Sequence, residues 1–291
     1  MTISKLNTIS YTSINKIDTI SKSGIEQINT IDTPSSFTTD YSIEGNGSNQ
    51  YINLGNRQNT GLNPTEAQIN SNGYTFSAWV YIDDLTTSFQ IFSLGVSGTN
   101  NYYGIQMLVN RNAAFVFHFF GLNGSTVGNG SNNRLTKGAV NGTISTGVWQ
   151  HLAWVIPTNS YDVVANWKIY INGSEYTGST FNSGNANVNL AYSGNSNIGV
   201  WTRTGLSNIF DGEINNAAIF NKALDSSNMA AIYNSGTPID LSTNSGNYNE
   251  SSTLEAWWRF NEGTGTSYTD SSGNGYTGSG VNNPTWSTNT P

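Results

Sequence analysis

Short runs in which apolar and polar residues alternate recur from Tyr41 onward, separated by stretches rich in Gly, Asn and Ser. The runs include YSIEG, QYINLG, YTFSAWVYI, FQIFSLG, YGIQMLV, AAFVFHFF, VWQHLAWVI, WKIYING, SNIGVW and GEINNAAIFN. A period of two places alternate side chains on the same face of a β-strand. Many short strands between turn residues predict an all-β fold, an antiparallel sandwich.

Two segments indicate how the strands are buried. Residues 74–82 have apolar side chains on both faces, since Trp79 and Tyr81 alternate with a smaller apolar set, so we predict a central strand. Trp257 and Trp258 are adjacent, so they point to opposite faces of a strand. We therefore expect at most one of them to lie deep in the core between the sheets.

One short helix is predicted at about residues 226–234. Asp225 is a suitable N-cap, Met229, Ile232 and Tyr233 form an apolar face, and Gly236 is a suitable end. We expect this helix to plug one rim of the sandwich.

The N-terminal segment has a different pattern, because residues 3–35 consist of three eleven-residue units, ISKLNTISYTS, INKIDTISKSG and IEQINTIDTPS. Apolar residues occupy the same three places in each unit: Ile3, Leu6, Ile9, Ile14, Ile17, Ile20, Ile25, Ile28 and Ile31. Three short polar units cannot bury this stripe alone, so we predict that it docks against sister copies or a particle surface. Residues 1–36 would then be an anchor or oligomerisation segment, most simply in a homotrimer. A disordered leader is the alternative.

Composition narrows the class of protein. Charged residues make up 10% of the 291 residues, and the formal net charge is −7, which argues against nucleic acid as a partner. Cysteine is absent, which excludes disulfides and thiol chemistry. The first residues lack the apolar run of a signal peptide, and no stretch of 18 apolar residues occurs, so we expect neither export by that route nor membrane insertion.

Four stretches resemble a known family, the laminin G-like, concanavalin A-like jelly rolls common in marine bacteriophage structural proteins and bacterial surface proteins. They are YSIEGNGSNQYINLG (41–55), YTFSAWVYI (74–82), GVWQHLAWVI with WKIYING (147–173) and IFDGEINNAAIFNKALDSSNMAAIYNSGTP (209–238). The resemblance implies one concanavalin A-like jelly-roll domain over residues 37–291. Such a fold says little about the ligand.

The C-terminal segment departs from the family's order. LEAWWRFNEGTGTSYTDSSGNGYTG (254–278) resembles the strand and turn that usually precede the family's first strand, yet here it comes last. Such a circular permutation is tolerated where chain ends lie close together. We predict that residues 254–261 pair within the same sandwich and that 254–291 complete it.

The order of these segments and the repeated leader are similar to phage virion proteins. The resemblance implies a virion location, as a capsid decoration, fibre or tail-associated protein that contacts other virion proteins and displays a lectin-like domain, with host-surface glycans as the possible partner. Two rivals are a glucanase-like glycoside hydrolase and a bacterial carbohydrate-binding adhesin. A third is a decoration protein without a ligand.

Catalytic chemistry has little support in the sequence, so we predict a protein that is not an enzyme. Retaining glycosidases need two carboxylates about 5–5.5 Å apart. Asp211 and Glu213 share a strand face, but Asn215 follows where a third acid would be wanted. His118 and His151 lie in no nucleophile motif, and we interpret both as structural.

Candidate binding residues come from loops and strand ends. Tyr102, Tyr103, Trp201 and Arg203 are the predicted glycan contacts, because aromatic faces stack on sugar rings. In DSSGNG (270–275), Asp270 and Asn274 offer oxygen ligands for calcium, with an ordinary Asx-type turn as the alternative. No cofactor is required by any of these interpretations.

Overall fold

The computed structural model describes residues 37–57, 60–95, 104–123, 126–127, 134–178, 181–183, 189–190, 192, 194–202 and 205–291. Contacts along the chain separate Met1–Thr38 from Thr39–Pro291, and the description below concerns the second unit. The predicted anchor and its nine apolar positions lie outside the described residues.

The first sheet has eight antiparallel strands among the described residues. Numbered along the chain and given in spatial order, they are β11 (Ser174–Glu175), β10 (Lys168–Ile171), β9 (Trp149–Ile156), β3 (Tyr74–Ile82), β17 (Asp211–Phe220), β1 (Ser42–Asn46) and β21 (Thr285–Ser287), with β18 (Leu254–Trp258) also paired to β17. The predicted central strand, β3, lies between β9 and β17.

The second sheet has eleven strands within the same described ranges. In spatial order they are β12 (Phe181–Ser183), β8 (Arg134–Gly138), β6 (Phe115–Asn123), β5 (Gly104–Val109), β4 (Phe89–Leu94), β14 (Asn195–Ile198), β2 (Tyr51–Asn56), β20 (Gly278–Val281) and β19 (Ser267–Tyr268), while β7 (Thr126–Val127) and β13 (Asn189–Leu190) both pair with β6. A separate hairpin joins β15 (Trp201–Thr202) to β16 (Leu206–Ser207).

The two sheets enclose one apolar core. Phe76 of the first sheet packs against Phe117 of the second with ring centroids 5.1 Å apart, and Trp154 lies 5.5 Å from the same ring. All three side chains are fully buried. Alternating apolar residues thus form an antiparallel sandwich, as the sequence pattern predicted.

The described residues contain two short α-helices, where the sequence analysis predicted one. The unpredicted helix, α1 (Glu66–Asn72), begins with a capping box in which Thr65 and Gln68 exchange side-chain-to-backbone hydrogen bonds. Three 3₁₀ turns lie at Val164–Asn166, Asn234–Gly236 and Ser251–Thr253. Neither α-helix is long and apolar enough to cross a membrane.

The predicted helix is α2 (Ser226–Tyr233), and Asp225 caps it as expected. It ends at Asn234, whose φ of 43° is left-handed, two residues before the predicted Gly236. Instead of plugging a rim, the helix covers the outer face of the first sheet, where Tyr233 stacks on Trp79 with centroids 5.6 Å apart.

The C-terminal segment contributes strands to both sheets. β18 pairs with the second half of β17 and β21 pairs with β1, while β19 and β20 extend the second sheet. Trp258 belongs to the core between the sheets. Trp257 is also buried, but on the outer face, where its Nε1 donates to Asn216 and Arg259 lies over its ring. The expectation that at most one of the pair lies in the core is confirmed.

Candidate functional site

A continuous row of polar side chains crosses the outer face of the second sheet. We define this polar row as six residues that are register partners on adjacent strands: Asn53, Asn197, Ser93, Gln106, His118 and Thr136. Their neighbours in sequence, such as Ile105, Phe117 and Phe119, belong to the core. Because side chains alternate between faces, the polar row lies on the side away from the core.

The centre of the polar row is buried and incompletely hydrogen bonded. Ser93 and Gln106 are 0% and 2% exposed, and neither Ser93 Oγ nor Gln106 Nε2 has a hydrogen-bond partner among the described residues. His118 Nδ1 lies 2.8 Å from Thr136 Oγ1, so that end of the row is satisfied. Leaving a buried polar atom unpaired costs about 1–3 kcal/mol, which makes the centre of the row suited to hydrogen bonding with a ligand.

The other end of the polar row opens towards the β15–β16 hairpin. Asn197 Nδ2 donates to Thr202 Oγ1 at 3.2 Å, and the backbone oxygen of Trp201 accepts from Ser207 Oγ at 3.3 Å. Asn53, Trp201 and Thr202 are half-exposed. An indole and a set of amide and hydroxyl groups therefore meet at one accessible place.

Trp201 is one of the four predicted glycan contacts, and the structure places it beside the polar row. Tyr102, Tyr103 and Arg203 lie outside the described residues. The polar row was not predicted from the sequence, although a signal was present. Gln106 in YGIQMLV and Ser93 in FQIFSLG are polar residues that interrupt otherwise apolar strands.

The DSSGNG turn is held together by the two residues predicted as calcium ligands. Asp270 Oδ1 accepts from the backbone nitrogens of Trp257 and Ser272, and Oδ2 accepts from that of Tyr276, each at 2.9 Å. Asn274 Nδ2 donates to backbone oxygens of β18. These are the contacts of an Asx-type turn, and no group of three His, Cys, Asp or Glu side chains among the described residues is arranged to hold a metal.

The carboxylates of Asp211 and Glu213 lie on the outer face of the first sheet. Glu213 is 7% exposed, and its Oε1 accepts from Ser287 Oγ at 3.2 Å and Asn289 Nδ2 at 3.1 Å. Burial raises the pKa of both carboxyls above their ordinary values. The next position on this face is Asn215, whose amide donates to a backbone oxygen, so a third acid does not join the pair on this strand.

Both histidines make structural hydrogen bonds within the sandwich. His118 is paired with Thr136, and His151 Nε2 lies 2.7 Å from Ser77 Oγ. Burial lowers the pKa of each imidazole to about 3. Each ring is therefore neutral at pH 7, which agrees with the structural interpretation.

A family model for the concanavalin A-like lectin/glucanases superfamily matches residues 46–230. This match spans more than half of the chain, and the chain belongs to that superfamily. The match includes every residue of the polar row and the Trp201 hairpin. No curated protein matches the sequence.

Solved structures with the same fold include three informative examples. A candidate carbohydrate-binding protein from Bacteroides ovatus has a TM-score of 0.51 and 14% identity, over 85% of this chain and 60% of that one. The CBM40 of Ruminococcus gnavus IT-sialidase bound to α2,3-sialyllactose has a TM-score of 0.42 and 12% identity, over 56% and 83%. A heptameric SAP-like pentraxin from Limulus polyphemus has a TM-score of 0.46 and 14% identity, over 81% and 93%.

These similarities concern the fold alone, because the identities are low. The chain covers less than two thirds of the Bacteroides protein. The arrangement of side chains at the polar row is therefore the basis for any functional argument.

Proposed function

We propose that the sandwich is a lectin-like domain that binds carbohydrate where the polar row meets Trp201. The observation on which this rests is the hydrogen bond from Asn197 to Thr202, which joins a half-exposed indole to a row of amides and hydroxyls. The fold shared with the Bacteroides protein supports the same class of ligand.

The chemistry of the site suits a sugar ring. The apolar face of a pyranose stacks on an indole, and its hydroxyl groups both donate and accept hydrogen bonds. Asn53 and Thr202 supply side-chain partners at the accessible end, and the unpaired Ser93 Oγ lies on the strand next to Asn197. Sugar binding would satisfy polar groups that the folded chain leaves unsatisfied.

The domain binds without turnover in this proposal. The one pair of carboxylates on a shared strand face that the sequence singled out, Asp211 and Glu213, lies on the other sheet, away from the polar row. Glu213 is held by Ser287 and Asn289. Its position argues for a structural part.

For the whole chain, we propose a structural protein of a bacteriophage particle that displays this domain towards host-surface glycans. Support comes from the segment order and the repeated leader, which resemble phage virion proteins. In this proposal residues 1–36 contact other virion proteins or sister copies through the isoleucine stripe. Deletion of residues 1–36 should remove the protein from purified particles and leave the sandwich folded, and unchanged incorporation would refute the anchor.

Carbohydrate binding is tested with a glycan array, followed by calorimetric titration with the best-binding glycan. Trp201→Ala should weaken binding at least tenfold, equivalent to about 1.4 kcal/mol or more, because the stacking surface is lost. Thr202→Val, which removes a hydroxyl at nearly constant shape, should weaken it less.

Trp149→Ala is the matched control, since Trp149 is a half-buried tryptophan on the outer face of the first sheet, near Asp211 and Glu213. It should leave the affinity unchanged. Loss of binding in Trp149→Ala with retention in Trp201→Ala would move the site to the first sheet. Hydrolysis of a polysaccharide that Glu213→Gln abolishes would replace binding by catalysis.

A further inference from the structure

An open cleft of about 560 Å³ lies at an edge of the sandwich, apart from the polar row. Its lining includes Lys137 of β8, Trp167 and Lys168 at the start of β10, Glu175 of β11, and Tyr176. Strands of both sheets therefore form its walls. The volume is in the range of small-molecule sites, about 300–1,000 Å³.

Positive charge is concentrated in this cleft, although the whole chain is acidic with a formal net charge of −7. The described residues include three lysines, and two of them, Lys137 and Lys168, line the cleft. Lys168 Nζ lies 3.1 Å from Glu175 Oε2, so one ammonium is neutralised. The second ammonium leaves the cleft with an excess positive charge.

Lys137 is the source of that excess charge. Its side chain is 9% exposed, and Nζ donates to the backbone oxygens of Ala165 at 3.0 Å and Trp167 at 2.5 Å. No carboxylate among the described residues lies within 4.0 Å of this nitrogen. An ammonium has three N–H donors, so one remains for a ligand. Burial lowers the pKa of Lys137, and an anion beside it would favour the charged form.

The β10–β11 hairpin fixes the position of the second lysine. Its turn residues, Asn172 and Gly173, have φ of 50° and 73°, which is the conformation of a type I′ turn. In the resulting register Tyr170 is opposite Glu175, and Lys168 is the diagonal neighbour of Glu175 on the same face. A two-residue turn thus holds the Lys168 ammonium at the cleft wall.

The remaining lining groups suit a hydroxylated ring. Tyr176 is a half-exposed aromatic side chain, and Thr177 is an exposed hydroxyl. Asn166 Nδ2 donates to Ser160 Oγ at 3.1 Å, which orients the amide. Trp167 is fixed behind them, because it packs edge-on against Phe119 at 5.0 Å.

We propose that this cleft binds the carboxylate-bearing ring of an acidic sugar, a uronic acid unit of a polysaccharide. The carboxylate faces the ammonium groups of Lys137 and Lys168, and the ring packs on Tyr176. Asn166 and Thr177 exchange hydrogen bonds with ring hydroxyls. This inference rests on the proposed carbohydrate binding, and it adds a second, charge-selective subsite.

The direct test is NMR titration of the full chain labelled with ¹³C-lysine, whose six lysines give few signals. The probes are D-glucuronate, D-glucose as the uncharged ring, and acetate as the carboxylate without a ring. Glucuronate should shift the Lys137 and Lys168 signals saturably and bind at least tenfold more tightly than either control probe. Affinity no higher than that of glucose or acetate overturns the proposal.

Paired variants test the location. Lys168→Met should weaken glucuronate binding at least fivefold, whereas Lys222→Met should not. Lys222 is a matched control because it is similarly exposed, 46% against 43%, and is also paired with a glutamate. Equal effects of the two variants overturn the assignment. Tyr176→Leu provides a second reduction in affinity that does not depend on charge.

The same experiments separate this inference from the proposed function. If array glycans still bind through Trp201 while glucuronate does not bind, the cleft assignment is overturned and the proposed function stands. If neither class of sugar binds, both are overturned.

Discussion

Asp270 shows how much of this fold depends on single carboxylates that bind backbone amides. Its two oxygens accept three backbone N–H groups, those of Trp257, Ser272 and Tyr276. The side chain is 7% exposed, so water cannot easily replace it. The same residue thereby joins β18 to the turn that follows it.

Asp270→Ala should lower the free energy of unfolding by about 3 kcal/mol or more, because several buried amides lose their acceptor. Urea denaturation measures this loss. Asp240→Ala is the control: Asp240 is half-exposed and accepts only from Ser242, so a loss below about 1 kcal/mol is expected. The melting temperature should not change on adding calcium or a chelator, and a calcium-dependent rise would instead support a metal at this turn.

The buried histidines predict a pH dependence of stability. Burial lowers the folded-state pKa of His118 and His151 to about 3, from an ordinary value of 6.5. Between these values the unfolded chain binds more protons, so the free energy of unfolding decreases as pH falls below 6.5. The slope is up to about 1.4 kcal/mol per pH unit for each histidine.

Denaturation between pH 6.5 and 5 tests this dependence before most carboxyls titrate. His118→Gln and His151→Gln should each remove about half of the histidine contribution to the slope. Slopes identical to that of the unaltered protein would show that neither imidazole is kept neutral by the fold.

At the scale of elements, regular alternation was sufficient to predict strands, and capping residues were sufficient to predict one helix. β3 is central as the alternation in 74–82 indicated, and α2 starts at its predicted cap. α1 was missed because its seven residues bury one apolar side chain, Ile69, so no apolar face marks it. Only the Thr65 capping box marked that helix in the sequence.

The candidate site was harder to predict than the strands. Polar-row residues come from six strands far apart in the sequence, so only the sheet register brings them together. A single polar residue such as Gln106 or Ser93 inside an apolar run carries no information about its neighbours on other strands. Trp201 was predicted from its position near a strand end, and the cleft with Lys137 and Lys168 was not predicted.

Asp225→Ala tests the cap of α2. Asp225 accepts from the backbone nitrogen of Asn228 at 2.8 Å, and this hydrogen bond holds the pKa of the carboxyl below its ordinary value of 3.8. Loss of the cap should cost about 1 kcal/mol at pH 7. Because the folded-state pKa is depressed, the difference should shrink as pH falls below 3.8. Asp225→Asn keeps an acceptor and should retain most of the stability in urea denaturation.

At the scale of the whole sandwich, the last residues of the chain stabilise its first strand. β1 is paired on one side with β17 and on the other with β21. Asn289 adds side-chain contacts to Trp149 and Glu213, and its backbone oxygen accepts from Ser42. The start and end of the domain are therefore neighbours in the first sheet.

Removal of residues 283–291 should lower the free energy of unfolding by at least about 2 kcal/mol, because β1 loses its outer neighbour and several hydrogen bonds. Thermal and urea denaturation measure the loss. Deletion of residues 1–36 is the comparison and should not change the unfolding midpoint. An unchanged midpoint in the C-terminal truncation would mean that β21 contributes nothing to the sandwich.

The pairing of β1 with β21 has a mechanical consequence. Ser42, where β1 begins, is opposite Ser287, where β21 ends, so both strands run away from the same end of the pair. A force that pulls residues 37 and 291 apart loads these hydrogen bonds one after another, as in a zipper, and never in parallel. The domain should therefore open at low force when stretched between its two ends.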